Sequence, residues 1–357
     1  MKPSLFGIKQ SNRDFSLAQT WGKNQFNSSF PASLACYLHS KGLEAVYLEL
    51  NGGLTTTRKK IKVSDVFGLD PLADDTFYAF ETAYTPYENL VVDGLPRIDL
   101  VTAKIVKGFT EPARGIEVKL TALPDNQTAD NGEENYGSEI VVRPDTIVYL
   151  ALSVAVEYMS ERKKLLAHLA GLKKKIKDWR SATAVRPHLK EATDVLDKIL
   201  AEKISVQKPL LIQPVWKTEG KTLVLHENSL DVFVWSDFAL TRLFVDVCRE
   251  SLNREPMTRH SRSVLWLLKM LLDFAEKGKI NAGLVIDELT YDTKNDKAFA
   301  VSGRVTRKYM KSPELLKPRV NKSEIKNIIL GGGEKLLSPE RRFDAAIISA
   351  KNIFKQT

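Results

Sequence analysis

Cysteine is nearly absent from this chain: Cys36 and Cys248 are its only two in 357 residues. A disulfide framework is thereby excluded, and with no signal peptide after Met1-Lys2-Pro3 a cytoplasmic protein is expected. Long apolar runs are lacking as well. The longest, Ile147 to Val156, is too short to cross a bilayer, so no membrane association is expected. Histidine is sparse, and His39, His168, His188, His226 and His260 show neither metal-ligand spacing nor cysteine partners, which argues against zinc. No internal repeat is visible and no Gly-x-Ser-x-Gly elbow is present. Gly331-Gly332-Gly333 lacks the Lys-Ser/Thr of a phosphate-binding loop, so an ATP-driven enzyme is not indicated. What remains is 43% apolar and 27% charged, an ordinary globular composition that excludes disorder and is long enough for two domains.

The charge is mildly basic in total, +9, and unevenly spread. Residues 301–357 carry thirteen Lys and Arg against five acids, a net of +8. Between Asp65 and Leu100 eight acids face Arg97 alone, a net of −7. A basic region and an acidic cluster in one chain suit a phosphate-backbone surface beside a metal site; a solvated charged surface is the other reading. The polar stretch 3–31 contains Asn12, Arg13, Lys23, Asn24 and Gln25, side chains of the kind that hydrogen-bond base edges and phosphates.

Periodicity predicts helices at Pro31–Lys41, Tyr78–Val92, from Pro144 through Met159 into a Lys-rich stretch 162–177, and at 186–203, 236–250 and 259–277. Strands are expected at Val46–Leu50, Arg97–Ala103, Gly115–Ala122, Glu139–Arg143, Leu210–Lys217, Thr222–His226 and Asp231–Trp235, with a hairpin near 283–292 and 297–306. The class is α/β or α+β. The division expected is 1–217, holding a catalytic core with a helical insertion at about 160–205, and a basic 218–357 for DNA binding or dimerisation.

Within that frame Asp99 stands out, because an acid inside the apolar strand Arg97-Ile98-Asp99-Leu100-Val101 either faces solvent or has a partner. Glu117 and Lys119 lie two apart on a strictly alternating strand and share a face, opposite Ile116, Val118 and Leu120. If the two strands pair through a hairpin connection containing Gly108, Pro112 and Gly115, Asp99 comes beside Glu117 and Lys119. Two carboxylates would then hold a hard divalent cation, Mg²⁺, with the lysine beside an attacking water. The same pattern also fits the exposed face of an amphipathic strand. Asp287, with Asp292 and Lys294, is the rival site, and its spacing leaves little room for a second strand.

Asp99, eighteen residues before Glu117-Val118-Lys119, resembles the PD-(D/E)xK nuclease signature, with Pro96 and Ile98 replacing the adjacent proline. Ser11-Asn12-Arg13-Asp14-Phe15 and Trp21-Gly22-Lys23-Asn24-Gln25-Phe26-Asn27-Ser28-Ser29-Phe30-Pro31 resemble the HindVP/HgiDI family of type II restriction endonucleases over roughly the first half of the chain. The resemblance implies a restriction-endonuclease-like core with a central mixed β-sheet flanked by helices, Mg²⁺-dependent double-strand cleavage, and a palindromic target, GRCGYC. Carried over, Asp99 and Glu117 are metal ligands and Lys119 the catalytic lysine, with a further acid from Glu88 in preference to Glu81. A homodimer on double-stranded DNA and a separate cognate methyltransferase are implied partners. DNA contacts are expected from Asn12, Arg13, Lys23, Asn24, Gln25, Arg304, Arg307, Lys308 and Arg319. A non-catalytic DNA-binding protein and a structure-specific repair nuclease are the alternatives.

Overall fold

The computed structural model describes residues 8–13, 23–52, 55–120, 144–203, 210–212, 215–219, 222–229, 232–235, 237–253, 257 and 259–289. In chain order these form α1 (Lys23–Ser40), β1 (Ala45–Gly52), β2 (Thr55–Ile61), α2 (Val63–Phe67), β3 (Thr76–Thr82), β4 (Ile98–Val106), β5 (Phe109–Leu120), α3 (Pro144–Glu157), α4 (Arg162–Lys175), α5 (Ala182–Val185), α6 (Leu189–Lys203), β6 (Leu210–Ile212), β7 (Val215–Glu219), β8 (Thr222–Ser229), β9 (Val232–Trp235), α7 (Asp237–Glu250), α8 (Arg259–Lys277) and α9 (Ala282–Leu289). The strand expected at Glu139–Arg143, the second hairpin strand at 297–306 and the basic region 301–357 lie outside the described residues.

Seven strands make one sheet in the order β2-β1-β6-β9-β5-β4-β3, and β7 and β8 pair separately. Every pairing between these strands is antiparallel, which corrects the expected mixed sheet to α+β with an antiparallel sheet. The reason is connectivity. Short links join β1 to β2 and β4 to β5, and tight links produce antiparallel neighbours. The one long helical crossover, α3 to α6, joins β5 to β6; these run the same way, but β9 lies between them. At the β4–β5 tip Lys107 and Gly108 both have positive φ, 51° and 84°, as a two-residue type I′ hairpin turn requires.

Two expected elements change type. The helix at Tyr78–Val92 is instead β3 followed by a 3₁₀ turn at Thr85–Leu90. Thr76, Tyr78 and Phe80 are buried and alternate with half-buried Phe77 and Ala79, a period of two in β-prone residues, and Pro86 blocks a long helix. The expected first hairpin strand near 283–292 is α9. Asn281 Oδ1 accepts the Leu284 N–H at 2.9 Å as an N-cap, while Ala282, Val285 and Ile286 turn inward at helical spacing.

Helices cover both faces of the sheet. On one, the Tyr78 hydroxyl donates to the Pro71 carbonyl at 2.8 Å and meets Cys36 of α1 at 3.2 Å, and Thr102 Oγ1 donates to the Phe67 carbonyl of α2 at 2.7 Å. Burial pushes the Cys36 thiol up to about 12, so it is inert packing rather than a nucleophile. On the other face Ala79 and Val101 join a core centred on α3, whose residues Thr146 to Ala155 are all buried. A helix buried on all sides is a central one, and α7, α8 and α9 pack around it. Residues on both sides of position 217 build this core, among them Leu165, Leu196, Phe244 and Leu268. No helix among the described residues is long and apolar enough to cross a membrane.

Beside this core Glu202 of α6 ties in neighbouring chain: Lys164 Nζ lies at 2.8 Å, the Tyr158 hydroxyl donates at 3.0 Å and His168 Nε2 lies at 3.1 Å. Lys164 is the largest influence holding the Glu202 carboxyl down, to about 2. A carboxylate lowered on folding stabilises above its unfolded value, and that contribution disappears as pH falls from about 4.5 toward 2. Glu202→Gln is therefore expected to cost about 1 kcal/mol at neutral pH and to flatten the acid limb of a denaturation-versus-pH curve.

Candidate active site

The β4–β5 ladder pairs Leu100 with Ile116 and Val101 with Gly115, so the next position along sets Asp99 opposite Glu117. Residues directly opposed on antiparallel strands share a face and approach closely. The side chains fit this register: the Val118 N–H donates to Asp99 Oδ2 at 2.8 Å. Strand pairing thus brings together the two carboxylates that the sequence separates by eighteen residues. Position 119 is the next same-face position along β5, where it pairs with Phe233 of β9.

Glu117 is only 8% exposed. A buried carboxylate needs hydrogen bonds, and Thr146 Oγ1 donates one to Glu117 Oε1 at 3.0 Å. Thr146, itself buried, lies in the first turn of α3, just after the helix-starting Pro144 and Asp145. The N-terminal end of the central helix therefore abuts the acid. A second support holds the approach to β4. The Tyr149 hydroxyl donates to the Pro96 carbonyl at 2.6 Å and accepts the Tyr84 N–H at 3.0 Å. Tyr84 in turn lies over Gly115, where an added Cβ would come within 3.0 Å of its ring. At that glycine, two residues before Glu117, a side chain would press on the Tyr84 ring.

The third strand extends the row. On β3, Phe80 pairs with Leu100 and Thr82 with Ile98, so Glu81 occupies the position opposite Asp99. By extension of the flanking pairs, Glu81, Asp99 and Glu117 fall on one register line across three adjacent strands. Glu81 departs from regular strand geometry, with φ at +50°, and its Oε1 is 3.3 Å from Arg13 Nη2. Glu88, the acid preferred over Glu81, stands exposed on the 3₁₀ turn Thr85–Leu90.

The remaining expected residues distribute as follows. Asn12 has both ends of its amide on one backbone: Nδ2 donates to the Phe80 carbonyl and Oδ1 accepts the Phe80 N–H, each at 2.9 Å. Lys23, Asn24 and Gln25 are the first residues of α1. Arg304, Arg307, Lys308 and Arg319 lie outside the described residues. Asp287 of the rival site is on helix α9 rather than on a strand, and Asp292 and Lys294 also fall outside the described residues. Thr146, Tyr149 and Tyr84 are supporting residues that sequence reasoning missed; a hydroxyl in a helix's first turn and aromatics scattered along the chain carry no local signature.

Among the described residues no group of three or more His, Cys, Asp or Glu forms a ready metal cluster. The donor set at the β4–β5 pair, two carboxylates and no histidine or thiol, fits a hard divalent cation that keeps part of its shell for water or phosphate oxygen.

The model of the HindVP restriction endonuclease family matches residues 21–354. The chain is 45% identical to the type II restriction enzyme HgiDI of Herpetosiphon aurantiacus, over 99% of its own length and 98% of that protein. It is 43% identical to the probable type II restriction enzyme HindVP of Haemophilus influenzae, over 99% of its length and 96% of that protein. No solved structure matches it. With the family model over most of the chain and two relatives at 45% and 43% identity along nearly its whole length, it belongs to the HindVP family of restriction endonucleases, site-specific deoxyribonucleases.

Proposed function

We propose that this enzyme cuts both strands of DNA at a short palindrome, with Asp99 and Glu117 holding Mg²⁺ and Lys119 facing the attacking water. The observation that carries the reading is the cross-strand placement of Asp99 against Glu117, the buried member secured by Thr146. When bound, Mg²⁺ supplies Lewis acidity toward the phosphate and an acidified water. Lys119, one same-face step from Glu117, orients that water and takes part in its deprotonation. Water adds to phosphorus in line, the P–O3′ bond breaks, the 3′ oxygen leaves as a hydroxyl and the 5′ side keeps the phosphate. A palindrome is most simply met by a two-fold homodimer, each copy cutting one strand. The target implied by the family resemblance is GRCGYC, and a separate methyltransferase would protect that site in the host.

Digestion of a large natural DNA with and without Mg²⁺, followed by sequencing of the ends, tests this. Discrete fragments with 5′-phosphates at one repeated site are expected. A smear would favour a structure-specific nuclease, and intact DNA under all divalent ions would leave only a DNA-binding protein.

Thr146 offers a finer test. Thr146→Val keeps the shape and removes the donor to Glu117, so single-turnover cleavage is expected to fall by about 10- to 100-fold. Thr146→Ser is expected to recover most of that loss, whereas a purely steric role would be met better by valine.

A further inference from the structure

Arg13 meets the acidic row at its β3 end, through Glu81. Its guanidinium is 3.3 Å from Glu81 and sits over the Phe80 ring, 5.3 Å from the centroid. The side chain is only 14% exposed. Burial pulls its pKa down and Glu81 opposes the shift, as expected of a guanidinium kept charged by one carboxylate. Its segment is fastened in register: the Tyr78 N–H donates to the Gln10 carbonyl at 3.0 Å, the Asn12 N–H donates to the Tyr78 carbonyl at 3.2 Å, and the Asn12 amide clasps Phe80. Residues 10–12 thus run as an added edge beside β3, and this edge delivers Arg13 to Glu81.

The consequence is electrostatic. Three carboxylates on one cross-strand line repel one another unless a positive charge joins them. Glu81 is placed by register to be the third member, yet it is turned from regular strand geometry and engaged by Arg13. We propose that Arg13 is a positioning residue that holds Glu81 away from the acidic row until a divalent cation binds, so that cation binding exchanges the Arg13–Glu81 ion pair for a cation–Glu81 contact and frees the guanidinium for a DNA phosphate. The proposal rests on the Asp99–Glu117 cation site put forward above.

Calorimetric titration of the full chain with Ca²⁺, without DNA, tests it independently of cleavage. Arg13→Gln is expected to bind Ca²⁺ about fivefold or more tightly than the wild type, because the competing cation is gone. Arg13→Lys, which keeps the charge, is expected to stay near wild type. In a Glu81→Gln background the Arg13→Gln gain is expected to vanish. If the gain persists there, Arg13 acts only through space, and the exchange is wrong. Equal affinity of wild type and Arg13→Gln, with Asp99→Asn still abolishing binding, overturns the exchange while leaving the cation site intact. Absence of any Asp99-dependent binding overturns both. Should Arg13→Gln fail to fold by near-ultraviolet circular dichroism, Arg13→Met keeps the stem over Phe80 and takes its place in the same comparison.

Discussion

Asp99→Ala is expected to lower cleavage about a thousandfold or more while leaving DNA affinity, measured with Ca²⁺ in place of Mg²⁺, within a few-fold of wild type. The expectation follows from what the carboxylate does. One oxygen accepts the Val118 N–H, which keeps β4 and β5 in register beside Glu117; the carboxylate as a whole supplies charge to the cation site. Alanine removes both, so Asp99→Asn is the sharper variant. Its amide oxygen can still accept from Val118, and the neutral group no longer attracts a cation. Glu117→Gln behaves likewise, because its amide oxygen can keep the Thr146 hydrogen bond. Residues acting on one cation are non-additive, so the double variant should lose little more than either single one. Lys119→Ala leaves both carboxylates in place, so Ca²⁺ affinity should persist while cleavage fails. If an Asp99→Ala, Lys119→Ala double variant still cut DNA, the site would have to be moved elsewhere.

The Asp99–Glu117 pair was legible in the sequence for a local reason. A strictly alternating strand, a glycine at a tight turn and an acid embedded in an apolar strand together specify a hairpin and its faces. Glu81 was harder to place, because Tyr78–Val92 also satisfies a helical pattern and only pairing with β4 selects the period of two. Asn12 and Arg13 read as DNA-contacting by residue type; their bonds to Phe80 and Glu81, nearly seventy residues away, carry no signal in the sequence. The insertion of β9 between β5 and β6 was equally hidden, since pairing at that separation depends on how the helices of the crossover pack.

DNA affinity of the cleavage-inactive Asp99→Asn variant is expected to fall about a thousandfold or more between 50 and 200 mM salt, as counterion release predicts for six to ten phosphate contacts. The total charge of +9 would not suggest so steep a response, but its distribution does. Many cations of the helical layer are already committed to acids: Lys175 to Glu191, Arg242 and Arg249 to Asp197, Lys269 to Asp273 and Lys173 to Glu276. In the acidic stretch, Lys9 meets Asp74 and Arg13 meets Glu81, so part of its −7 is answered internally. Residues 301–357, with thirteen basic side chains against five acids, hold too few acids to neutralise themselves in this way. Each of Arg304, Arg307, Lys308 and Arg319 that meets a phosphate should reduce the salt slope by about 0.9 when changed to alanine. A change that instead relaxed sequence preference at unaltered slope would mark that residue as a base reader. A flat salt dependence of the parent variant would mean that the basic region does not face DNA, and binding would then have to rest on the polar segment 8–13 and the first turn of α1.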